Sequence, residues 1–268
     1  PIQHIRENIR FYLLMLSWVV VGQFAPNIVA VGYAVVTFIA IVGSNNVTKI
    51  LLAFLTMLIL SDSRIPMMQF AATAKIAATV ILVIYVLRNM KDFKNSDNQI
   101  FKYFLPFLLF GVLASFWSPN IMTAFQKSMS YSFIYFAIPL TYLAADEQNQ
   151  NLSKDLINWL TVILGVGLIM YVVNPEFATL VGRYRGLLGN PNGMGILLTV
   201  TAPLYLLLKR RDSELFENKW KEYLFLGVFI LSLILTGSRT SLFAILMFIV
   251  FVRLRFLSNS VTLVVFLV

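Results

Sequence analysis

The sequence predicts an all-α fold, a polytopic transmembrane helical bundle of about 11 spans. Three observations predict it. Of 268 residues, 59% are hydrophobic and only 12% are charged, with a mean hydropathy of +0.81; soluble domains carry roughly 25% charged residues. Apolar runs of roughly 15–22 residues recur along the chain, long enough to cross a bilayer as helices. Alternating apolar–polar runs are missing, which argues against a transmembrane barrel.

The elements follow in order. The first expected span, 11–25, comes after Arg6 and Arg10, and 28–43 and 47–60 follow it across short polar turns. A span at 70–88 ends at Arg88, before the charged stretch that holds Lys91 and Lys94. Spans at 101–116, 121–143 and 155–174 come next, the last one beginning just after Lys154. The span at 190–208 opens with Asn190, a good N-cap, and Pro191, which suits the first helical position. Its inner end carries Lys209, Arg210 and Arg211. Gly237 can end the span at 222–237, Ser238 can cap the one at 240–256, and a last apolar run starts at 260. No internal repeat or low-complexity tract breaks this pattern, so residues 1–268 read as one transmembrane domain. The chain starts at Pro1 and stops at Val268 within "VTLVVFLV", and the expectation is a longer protein whose further spans follow.

Alternate loops sort the cations. Of the 21 Lys and Arg, 15 fall on one side, and Arg64, Lys75, Lys127, Arg183, Arg185 and Arg239 fall on the other. The richer side is cytoplasmic by the positive-inside bias, so the N-terminus is inside. The net charge of +9 is accounted for by these loops and gives no reason to invoke nucleic acid. With no cysteine, disulfides, thiolate metal sites and cysteine nucleophiles are excluded.

The outer face is cationic: six Lys and Arg stand against two acids, Asp62 and Glu176. Arg64 lies close enough to Asp62 in sequence to pair with it. Lys75 and Lys127 fall inside the outer ends of their spans, where a lysine either faces a wet cavity or snorkels to the headgroups. Two outer turns carry arginine: "GRYRGLLGNPNGMG", Gly182 to Gly195, and "TGSRTS", Thr236 to Ser241. Asn190 and Pro191 start a helix whose N–H groups and positive dipole end face outward, and Gly189, Gly193 and Gly195 leave its backbone approachable. Ser238 and Arg239 repeat that design. Arginine beside an open helix N-terminus suits phosphate. The plainer reading of "NPNG" is a turn and a helix start. No acidic cluster has metal-ligand spacing, so neither metal nor cofactor is expected.

"RYRGLLGNPNGMG" at 183–195 and "LTGSRTSLFA" at 235–244, with "SFWSPNIMTAFQKS" at 115–128, resemble the O-antigen ligase and O-antigen polymerase superfamily. The resemblance covers roughly residues 100–256. It implies a GT-C-type membrane glycosyltransferase of the bacterial inner (cytoplasmic) membrane, working at the periplasmic face without metal. The donor implied is an undecaprenyl-pyrophosphate-linked glycan, and the acceptor is lipid A–core or another glycan. By resemblance, Arg183 or Arg185 acts with Arg239 on the pyrophosphate as catalytic residues. Asn190, Asn192, Gly193, Ser238, Lys75 and Lys127 complete the expected substrate-binding set. Family members use a histidine of a large periplasmic loop to activate the acceptor; the sole histidine here, His4, falls on the inner side. The matching loop is expected beyond Val268, and residues 1–268 alone are expected to be inactive. The rival class is a transporter or flippase of a lipid-linked or anionic substrate. All 12 acids fall in loops or at span ends, which weakens cation-coupled transport.

Overall fold

Apolar runs become helices because a helix satisfies the backbone hydrogen bonds of a run that has few polar side chains to help. The computed structural model describes residues 2–62, 65–89, 99–148, 151–212, 214–216 and 218–254. Arg64 and the run from 260 onward lie outside them. The chain forms two compact units, Pro1–Asp155 and Leu156–Val268.

The first unit holds α1 (Ile2–Phe24), α2 (Asn27–Gly43), α3 (Val47–Ser61), α4 (Gln69–Arg88), α5 (Gln99–Ser115) and α6 (Ile121–Gln148). A single 3-10 turn, Pro66–Met68, leads into α4. Helix α4 packs against α2, α3 and α6. Ala71, Ala74 and Ala78 are buried along it, and such small residues let neighbouring helices approach closely. Trp18, Phe38, Phe54 and Phe70 fill the core. The Trp18 indole N–H is not stranded there, because it donates to Thr37 Oγ1 at 2.8 Å.

The second unit follows α7 (Leu152–Val173) with a short helix α8 (Pro175–Ala178) and a hairpin of β1 (Thr179–Leu180) and β2 (Arg183–Tyr184). Then come α9 (Pro191–Arg211), α10 (Lys219–Thr236) and α11 (Arg239–Leu254). Helix α9 packs on α10, α11 and β2. Where their far ends meet, Lys209 and Tyr205 of α9 both bond to Glu222 of α10.

Helix therefore dominates, as expected, and the ten long helices among the described residues coincide with the first ten expected spans. Two features depart from expectation. Helix α1 begins at Ile2, well before residue 11, because "IQHIRENIR" contains few helix breakers and a helix need not stop where apolarity does. Helix α8 and the hairpin were not foreseen. Against the expected count of about 11 spans, three helical segments among the described residues are both long and apolar enough to cross a membrane, Pro66–Arg88, Leu152–Val173 and Pro191–Arg211, and the other apolar helices are shorter or less apolar. Large apolar side chains such as Ile28, Val172 and Leu207 are exposed around the helices, a surface suited to lipid rather than water.

Candidate functional site

The hairpin sets up the site. Thr179 pairs with Tyr184 and Leu180 with Arg183, leaving Val181 (φ 51°) and Gly182 (φ 72°) as a two-residue turn. Two positive φ values match a type I′ turn. Glycine takes that conformation freely, but a β-branched valine is strained in it.

Three consecutive residues then go separate ways. Tyr184 is buried, its ring edge-on to Tyr171 at 5.6 Å. A side chain on Gly167 would collide with its hydroxyl, so α7 needs glycine there. Burial pushes the Tyr184 phenol pKa upward. Its hydroxyl lies near that of Ser232, yet neither buried oxygen completes a well-formed hydrogen bond among the described residues.

Arg185 is also buried. Its Nε donates to the Phe177 carbonyl at 3.1 Å and its Nη2 to the Glu176 carbonyl at 3.3 Å. Burial lowers its pKa, but a guanidinium stays protonated in proteins. Its charge is thus turned inward and clamps α8 to the hairpin.

Arg183, by contrast, is half-exposed. Its Nε donates to the carbonyl of Thr236, the last residue of α10, at 2.8 Å, and its Nη2 makes a longer contact of 3.4 Å with Asn192 Oδ1. One side chain therefore ties the hairpin to the start of α9 and the end of α10, across 53 residues of sequence. A guanidinium carries five N–H donors, so most of the fork is left over.

The two helix starts converge at Gly195. A Cβ there would collide with Ser241 Oγ and lie 2.9 Å from Ser238 Oγ. Those two hydroxyls share a 2.8 Å hydrogen bond. Asn190 caps α9 as expected, accepting from the Gly193 N–H at 2.7 Å. Since Pro191 has no N–H, Asn192 supplies the one first-turn amide of α9 without a partner among the described residues. Gly237 ends α10 in the left-handed region, at φ 59°. At α11, Ser238 Oγ accepts from the Ser241 N–H at 3.4 Å. Arg239 follows, exposed and without a hydrogen bond among the described residues. It is three residues from Thr236, at most about 11 Å of chain.

The structure thus brings Arg183, Asn190, Asn192, Gly193, Ser238 and Arg239 to one junction and turns Arg185 away from it. Thr236, Gly195, Ser241 and Tyr184 hold the junction together. Gly195 was expected to leave the backbone open to a ligand, but Ser238 and Ser241 pack over it instead; Thr236, Ser241 and Tyr184 carry no local signal, because each acts through a contact distant in sequence. Lys75 and Lys127 belong to the first unit, where both line one groove between α4 and α6. No group of three or more His, Cys, Asp or Glu able to hold a metal occurs among the described residues. No protein-family model, curated protein or solved structure matches the chain.

Proposed function

We propose that the junction of α9, α10 and the hairpin is the donor-phosphate site of a membrane glycosyltransferase. The enzyme moves a glycan from an undecaprenyl-pyrophosphate carrier to lipid A–core or to a second glycan. The observation that carries the reading is the Arg183 bridge. It joins two motifs that each pair arginine with a helix start, and it holds a half-used guanidinium next to the segment that carries Arg239. Cleaving the bond between sugar and pyrophosphate builds negative charge on the leaving group, and preorganised cations are worth most there. Arg183 and Arg239 are the cations of the site. The amides of Asn192, Arg239 and Thr240 add donors at the two helix starts. Arg185 acts as a clamp that positions the hairpin.

The same reading takes the ten long helices as spans of an inner-membrane bundle whose N-terminus is cytoplasmic. The junction then faces the periplasm. A flippase would use similar cations but leave the sugar on its carrier, which gives the test. Membranes containing the protein are supplied with an undecaprenyl-pyrophosphate-linked radiolabelled glycan and a lipid A–core or glycan acceptor. The expected result is label on the acceptor that membranes lacking the protein do not produce. Label that crosses the membrane yet stays on its carrier would overturn the transferase.

A further inference from the structure

Helices α4 and α6 pack against each other, and each bears a lysine at its seventh position, Lys75 and Lys127. At 1.5 Å per residue both lie about 9 Å along their helices. They line the same groove, of about 770 Å³, together with Ile76, Val80, Gln126 and Phe133. No acid lines it. Neither ammonium has a hydrogen bond or ion pair among the described residues, although Lys75 is half-buried.

Snorkelling would explain one lysine bent towards water. It does not explain two, from different helices, lining one groove in which the described residues offer no counter-charge, because gathering like charges is costly and partial burial of Lys75 adds to the cost. An anion between them removes both penalties. The groove wall is otherwise largely apolar, so the anion must carry a hydrocarbon tail. We propose that this groove binds an anionic phospholipid of the surrounding bilayer. Its phosphate sits between Lys75 and Lys127, where Gln126 supplies a further donor, and an acyl chain lies along Ile76, Val80 and Phe133. The proposal is independent of glycan transfer.

The test is titration of the detergent-purified protein with phosphatidylglycerol and with phosphatidylcholine of the same chains, bound lipid being counted by native mass spectrometry. A basic residue near a lipid surface is worth about fivefold in affinity for an anionic lipid, so two give roughly 25-fold. The wild type should therefore bind phosphatidylglycerol about 25-fold more tightly than phosphatidylcholine. Lys127→Gln, a change at an exposed position, should lose about fivefold of that preference, and Lys75→Gln with Lys127→Gln should lose it all. Replacing both lysines by arginine should keep it, with phosphatidylcholine binding unchanged throughout as the check on folding. Equal binding of the two lipids by the wild type would overturn the proposal, as would a preference that survives Lys127→Gln undiminished. So would displacement of phosphatidylglycerol by millimolar inorganic phosphate, which would make the site one for the free ion.

Discussion

The arginine junction of the second unit and the lysine groove of the first solve the same problem differently. Both offer two cations, and the described residues that line the groove include no acid. At the junction Arg183 sits in a fixed frame, held by Thr236 and Asn192, Arg239 extends from the exposed start of α11 beside it, and Gly195 leaves no space over the two serines. In the groove the ammoniums end flexible stems that nothing holds. A planar guanidinium in a rigid frame can meet a phosphate in one orientation, whereas a lysine is a mobile point charge. The frame suits chemistry, which rewards preorganisation, and the loose pair suits a bound lipid, which needs charge without orientation.

Substitution of Arg239 draws that distinction most sharply. Loss of a charged contact in the transition state of about 2–4 kcal/mol lowers rate roughly 30- to 1000-fold. Arg239→Ala should lower glycan transfer by that factor, and Arg239→Lys nearly as much, while both variants reach the membrane normally. In the same assay Lys127→Arg should change little. Full activity of Arg239→Lys would make the junction as tolerant as the groove.

Gly195→Ala should do its damage through packing. The added Cβ meets Ser241 Oγ and Ser238 Oγ, an overpacking expected to destabilise by about 1–3 kcal/mol. Thermal unfolding in detergent should show a lower midpoint, and adding Ser241→Ala should recover part of it. No shift would mean that the frame is looser than its geometry.

A smaller contrast separates the neighbouring arginines. Arg185→Ala strips donors from two carbonyls of α8, so it should lower the unfolding midpoint more than Arg183→Ala, whose effect should fall on transfer. The smallest effect belongs to metal. With no group of three or more His, Cys, Asp or Glu able to hold a metal among the described residues, transfer should continue in EDTA. Activity lost to EDTA and regained with magnesium would break the account of a site built on arginine.

What the sequence reveals depends on how local the physics is. The helices were legible because burial of an apolar run is a property of that run. Asn190 was legible as a cap and Gly237 as a stop for the same reason. The hairpin was hidden, since its turn uses Val181 where an Asn-Gly pair would have announced it. Which of Arg183 and Arg185 faces the junction could not be read either. They lie two apart, and it is the carbonyls of Phe177 and Glu176 in α8 that hold the second one inward. The meeting of Gly195 with Ser238 and Ser241 is a contact between helices, and no window of sequence contains it.

The central claim is that Arg183 and Arg239 hold one phosphate group together. A double-mutant cycle on undecaprenyl-pyrophosphate binding tests it most directly, using wild type, Arg183→Ala, Arg239→Ala and the pair. Residues that share a ligand group are energetically coupled, by about 0.5–3 kcal/mol. The expected result is that either single change removes most of the affinity and the second removes little more. Losses that simply add would show two cations acting on separate groups and would contradict the claim.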